Sequence, residues 1–140
     1  MGVPTTGSPL PSDTKVLTIG LHPSAIDYSQ LPDGFDEAQL TARIAVGQAA
    51  LREAGFDVVS CLIGTSADDA EASVRKALGE HAVGLAMIGA GVRALPEHTL
   101  LFERLVNVLT EVAPGIRLCF NTAPENTVDA LDRWVARPRT

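Results

Sequence analysis

Apolar runs alternate with stretches of helical periodicity along this chain. The clearest run is Val83-Gly84-Leu85-Ala86-Met87-Ile88, which leads straight into Gly89-Ala90-Gly91-Val92-Arg93. A strand buried on both faces of a parallel sheet reads as such a continuous apolar segment. Lys15 to Gly20, Asp57 to Ile63 and Ile116 to Phe120 supply three more strands. Between the first and second, Leu40, Ile44, Gly47 and Leu51 recur at helical spacing. Asp36 with Gln39 three residues on is a capping-box signature, and Gly55 is a left-handed stop. After the second strand Ser66 caps a helix whose first turn holds Asp68 and Asp69, where the helix dipole favours negative charge. Ala70, Val74, Ala77 and Leu78 form its buried stripe, and Gly79 is expected to close it. Pro96 opens a third helix that runs to about Val112 and stops at Pro114-Gly115. Thr122 and Glu125 form a second capping box before a last helix through Val128, Leu131 and Trp134.

Strands that alternate with helices specify an α/β fold, here a three-layer α/β/α sandwich around a mainly four-stranded parallel sheet. Right-handed crossovers and the usual doubly wound, flavodoxin/Rossmann-like order place the strands as 2-1-3-4, with the reversal between the first and third. Ligands in such sheets bind at the carboxyl ends of the strands beside the reversal. The loops after the first and third strands therefore flank one crevice, with Asn121 beyond. Residues 1–13 carry three prolines and two glycines and read as a flexible tail; 14–136 form a single domain and 137–140 a fray.

Composition narrows the partners. Aromatic residues are 4% of the chain against 46% hydrophobic, so the core is aliphatic. A net charge of -6 argues against nucleic acid, whose phosphates are met by Lys and Arg. The N-terminus lacks a cationic start followed by an apolar stretch, and no run approaches the roughly 20 residues that cross a bilayer, so a cytoplasmic protein without a membrane partner is expected. Cys61 and Cys119 lie singly inside apolar runs, a pattern of buried thiols rather than a zinc or redox motif. Along the third helix Leu100, Leu101, Phe102, Leu105, Val106, Val108, Leu109 and Val112 make a face wider than one sheet contact requires, which points to a homodimer through Leu100–Val112.

Candidate chemistry gathers at the predicted crevice. The connection from Leu21 to Phe35 is long against the usual 2 to about 6 residues, and it carries His22 and Asp27, a candidate general-base dyad. Gly89-Ala90-Gly91-Val92-Arg93-Ala94 matches the dinucleotide pattern G-x-G-x-x-A. It lies on the third strand, its helix opens late at a proline, and Asn121 stands where an acid would hold the ribose, so NAD is not expected. Backbone N–H groups of Gly89 to Gly91 with Arg93 suit an anion such as phosphate or carboxylate. The competing reading pairs Arg93 with Glu97 or Asp27. Asn121 and Thr122 complete the candidate ligand-binding set. His22 and His98, with Asp27, Glu97 and Glu125, lack a metal-ligand spacing, and no metal is expected. Neither a G-x-S-x-G elbow nor a Walker sequence occurs.

From Lys15 to Val135 the layout resembles response-regulator receiver domains and flavodoxin-like proteins. Ala54-Gly55-Phe56-Asp57-Val58, then a strand, then a helix leading to Val83-Gly84-Leu85-Ala86-Met87-Ile88, is similar to the first half of a receiver, and Thr122 is similar to its switch residue. The first strand ends in Gly20-Leu21-His22 instead of an acidic pair, and the third in Gly89-Ala90-Gly91 instead of an aspartate. No fifth strand with its lysine follows, so the resemblance does not extend to aspartyl phosphorylation. A flavodoxin phosphate loop is also missing, so FMN is not implied. The His22, Gly89 and Asn121 loops together are similar to those of a set of small bacterial proteins, which supports the fold alone. Three functions follow as expectations: a domain binding a small anionic ligand, a non-catalytic receiver-like interaction module, and a small enzyme with His22 as acid or base.

Overall fold

The computed structural model describes residues 9–32 and 34–136. Strands β1 (Lys15–Leu21), β2 (Asp57–Ile63), β3 (Val83–Ile88) and β4 (Arg117–Phe120) form one sheet in the order β2-β1-β3-β4, every pairing parallel. Helices α1 (Glu37–Glu53), α2 (Ala67–Glu80), α3 (Ala90–Arg93), α4 (Thr99–Val112) and α5 (Thr127–Asp132) connect and cover it. Successive side chains on a strand point to opposite faces, and the strands are apolar on both. Leu17, Ile19, Ala86 and Ile88 pack with α2 and α4, whereas Val16, Leu85, Met87 and Cys119 pack with Leu51 of α1 and Leu131 of α5. Two aliphatic cores result, one on each face. Full burial of a side chain such as Leu17 or Leu85 is worth about 1.5–3 kcal/mol, so the sheet is fixed by both cores together.

The caps at Asp36 and Ser66 form as the sequence predicts, with their side chains accepting the amides of Gln39 and Asp69. Gly55 takes φ 90° at the end of α1. Gly79 does not close α2: the helix runs on to Glu80, where the amide of His81 still reaches the Ala77 carbonyl. The helix expected from Pro96 divides into a 3₁₀ turn at Pro96–His98 and α4. The last helix is short, preceded by a 3₁₀ turn at Pro124–Asn126, and Trp134 lies beyond it.

The broad apolar face of α4 is used within the chain. Leu101, Leu105, Val108 and Leu109 are buried because α4 packs on α2 as well as on the sheet. Leu100 stands out at 74% exposure. Of the segment read as a tail, Leu10 forms a parallel bridge to Val135, with Leu10 N–H on the Trp134 carbonyl at 2.8 Å. Residues 1–8 and the expected fray at 137–140 lie outside the described residues. Among the described residues no helix is long and apolar enough to cross a membrane.

Candidate functional site

The carboxyl end of the sheet is built around α3, a single helical turn that the sequence reads as an open glycine loop. Gly89 extends the β1–β3 ladder by one bond, its N–H donating to the Ile19 carbonyl at 2.8 Å. A Cβ there would lie 3.4 Å from that same oxygen, so the glycine serves close approach. Its φ is -70°, which any residue can adopt, so close approach and not backbone conformation calls for glycine here. The Ala90 N–H donates to Asn121 Oδ1 at 2.9 Å, and the Val92 N–H to the Gly89 carbonyl at 3.1 Å. Val92 is fully buried and fills the space between β1 and α4. Gly91 is exposed, and a Cβ on it would lie 3.9 Å from the Leu21 side chain.

Asn121 links three elements. At 7% exposure it accepts from Ala90, and its Nδ2 donates to Thr127 Oγ1 at 2.9 Å. Thr127 Oγ1 in turn donates to the Pro124 carbonyl at 2.9 Å. The backbone carbonyl of Asn121 accepts from Arg93 Nη2. Asn121 thus works as a positioning residue, with its polar atoms engaged inside the protein. Thr122 is exposed, and its hydroxyl accepts from Asn126 Nδ2 at 2.6 Å. The expected Thr122–Glu125 box does not form, because Asn126 Oδ1 takes the amides of Thr122 and Ala123 at 3.0 and 3.3 Å. Glu125 faces α1 instead and receives both Nε and Nη2 of Arg43, at 2.6 and 2.7 Å. This fork holds the Glu125 carboxyl well below its ordinary value, at about 2. One turn along α1, a Cβ on Gly47 would sit 2.9 Å from the Pro124 carbonyl.

Arg93 pairs with neither Glu97 nor Asp27. Its guanidinium lies 5.2 Å from the Phe120 ring centroid, a cation–π distance, and Nη2 is held by Asn121. Among the described residues its Nε is the buried side-chain polar atom without a hydrogen-bond partner. None of the ion pairs among those residues includes it.

The loop after β1 is organised by its own side chains. His22 Nδ1 accepts the Ser24 amide at 3.1 Å and lies 2.8 Å from Ser24 Oγ, capping a 3₁₀ turn at Pro23–Ala25. An acceptor Nδ1 leaves the ring proton of the neutral form on Nε2. Asp27 caps the next turn, Tyr28–Gln30, by accepting the Ser29 amide at 3.0 Å, and the Ser29 bonds lower its carboxyl pKa. Tyr28 Oη donates to the Pro23 carbonyl at 2.7 Å, and its ring stacks on Phe35 with centroids 6.3 Å apart. His22 and Asp27 share no hydrogen bond, so the dyad geometry is not assembled in this structure. His98, read in the sequence only as a metal candidate, lies beside Arg93's turn, its Nδ1 3.1 Å from the Gly91 carbonyl. No local pattern links residues 91 and 98; the turn at 96–98 brings them together.

Burial raises both thiols, Cys119 to about 12, which leaves neither as a ready nucleophile. Among the described residues no group of His, Cys, Asp and Glu could hold a metal. A shallow depression of about 540 Å³ lies at the opposite, amino end of the strands, beside Thr14, Lys15, Asp57, His81 and Gly84. Compared with family models, with curated proteins and with solved structures, the chain matches none.

Proposed function

We propose that this domain binds a small anion, bearing phosphate or carboxylate, at the carboxyl end of the sheet through Arg93. The observation that carries this reading is the unsatisfied Nε of a guanidinium that no carboxylate among the described residues meets, in a chain with 17 acidic and 11 basic residues. An unpaired polar atom out of water costs about 1–3 kcal/mol, and more when charged, so a turn of the guanidinium that brings the buried Nε to an entering anion gains a missing hydrogen bond. Phosphate and carboxylate oxygens suit the planar fork of arginine, two at a time. Phe120 and the Asn121 carbonyl orient the guanidinium, and Asn121 ties that carbonyl to α3. Gly91, exposed on the same turn, completes the binding face, with Thr122 at its rim. Gly89 and Asn121 support the face from beneath. The reading contains no reaction, since His22 and Asp27 each cap a separate turn.

Thermal-shift measurements with inorganic phosphate, sugar phosphates, nucleotides and short carboxylates test it. A ligand at 100 times its Kd adds about 2.7 kcal/mol to stability. One member of the panel is expected to raise Tm in a way that Arg93→Gln abolishes and Arg117→Gln preserves. A blank panel, or a shift equal in both variants, would overturn the proposal.

A further inference from the structure

The two edges of the sheet differ in how they are protected. β4 is four residues long and contains Arg117, and Arg133 Nη2 donates to the Phe120 carbonyl at 2.8 Å. β2 is seven residues long, and from Val58 to Ile63 it holds no charge and no proline. Short strands, charges and prolines are the usual means by which an edge avoids pairing. β2 lacks them.

Its outward hydrogen-bonding groups, free among the described residues, are also arranged to match themselves. The Ile63 carbonyl accepts the His22 N–H at 2.8 Å, and β1 pairs with β2 in unbroken register from Lys15↔Asp57 to Leu21↔Ile63. Alternate residues of a parallel strand address one neighbour. Asp57, Val59, Cys61 and Ile63 therefore turn their backbone groups to β1, and Val58, Ser60 and Leu62 turn theirs outward. An antiparallel copy centred on Ser60 places Val58 against Leu62, Ser60 against Ser60 and Leu62 against Val58. Every outward N–H then faces an outward carbonyl, and all seven residues overlap. A centre at Val59 or Cys61 leaves residues unpaired. The side chains agree with this register: Leu62 is 42% exposed on one face, and Val59 meets Cys61 on the other.

We propose that the outer edge of β2 binds a second copy of this chain, joining two four-stranded sheets across a two-fold axis at Ser60. Charge permits it. Beside the edge a depression of about 300 Å³ is lined by Ser73, Lys76, Ala77 and Glu80 of α2. Lys76 and Glu80, 3.7 Å apart, give that flank both signs, so two chains of net charge -6 meet there without a like-charged face. Small side chains at Ser73 and Ala77 leave room for the antiparallel α2 of the other copy.

Sedimentation and light scattering of the full chain test this directly, the expected result being twice the 14.7 kDa chain mass. Ser60→Pro removes an outward N–H without touching the bonds to β1 and is expected to give a folded monomer. Ser60→Lys sets two cations face to face on the axis and is expected to do the same, which guards against a folding defect peculiar to proline. Leu100→Glu on α4 should leave the mass unchanged. Under mild oxidation Ser60→Cys should cross-link into a covalent dimer, since directly opposed residues lie about 5.5 Å apart at Cα, within disulfide reach. A monomeric wild-type mass throughout the micromolar range, or a dimer that survives both Ser60→Pro and Ser60→Lys, would overturn the proposal.

Discussion

Two loops emerge from the same end of the sheet and are held in opposite ways. After β1, His22 bonds Ser24, Asp27 bonds Ser29 and Tyr28 bonds Pro23, all within five residues of one another. After β4, Asn121 reaches back to Ala90, and Glu125 reaches Arg43, 82 residues away. The first loop is a chain of turns whose side-chain hydrogen bonds stay local, attached to the fold through Ile26 on the core and Phe35 beneath Arg43. The second is where α1, α3, α5 and β4 are fastened together. A residue's polarity and its position at a strand end are alike in the two loops, so neither tells ligand contact from structural fastening.

The largest contrast should appear when one side chain is removed from each. Asn121→Ala deprives the Ala90 amide of its acceptor, leaves the buried Thr127 hydroxyl with the Pro124 carbonyl but without its donor, and frees the carbonyl segment that holds Arg93. A loss of about 2–4 kcal/mol is expected, typical of a broken buried network. His22→Ala removes an exposed cap whose side-chain hydrogen bonds go to Ser24. Urea denaturation should show a lower midpoint for Asn121→Ala at unchanged slope, and no resolvable change for His22→Ala, while the Ser24 amide exchanges faster. Equal losses in the two variants would erase the distinction between the loops.

That distinction also explains what the sequence could disclose. The Asp36 and Ser66 caps are legible because donor and acceptor lie three residues apart, and the strand order is legible because two-faced apolar runs and right-handed crossovers admit few alternatives. Asn121 looks like a spare ligand in sequence because its partners at 90 and 127 are brought to it only by the sheet. The same holds for Glu125, whose apparent place in a capping box is overridden by the charge of Arg43, and for His98 beside Gly91. The breadth of the α4 face is visible in the sequence. That α2 covers part of it depends on two helices crossing the sheet on the same side.

A smaller effect separates two helical glycines. Alanine in a helix interior is favoured over glycine by about 1 kcal/mol, because glycine loses more backbone freedom on folding. Gly79 has open space where a Cβ would go, so Gly79→Ala should stabilise by about 0.5–1 kcal/mol. At Gly47 the added methyl meets the Pro124 carbonyl, backbone that Thr127 and the Arg43–Glu125 pair hold in place. Gly47→Ala should therefore destabilise by about 1–2 kcal/mol, the steric cost exceeding the helical gain. Thermal unfolding of both variants checks the opposed signs. A stabilised Gly47→Ala would mean that the 124–126 turn yields freely and is not the fastening it resembles.

The smallest effect is electrostatic and isolates the Arg43–Glu125 contact. Arg43 lowers the Glu125 carboxyl from 4.5 to about 2 in the folded chain. A carboxyl depressed on folding contributes stability that is fully present above its unfolded value and is lost as pH falls through the folded one. The window for this pair is thus from about 4.5 down to about 2. Both side chains are more than a third exposed, so solvent screening limits the contribution to about 1 kcal/mol or less. Asp27 and Glu71 are also lowered, by Ser29 and by Arg75 with Arg104, so the whole protein weakens in acid for several reasons. The informative quantity is the difference between wild type and Glu125→Gln, measured by urea midpoints at pH 7 and pH 2.5. It should be positive at pH 7, shrink in acid and also shrink at high salt. Arg43→Lys should retain only part of it, because an ammonium cannot reproduce the two-point fork on the carboxylate. A difference that stays constant with pH would show that Glu125 holds the turn through packing alone.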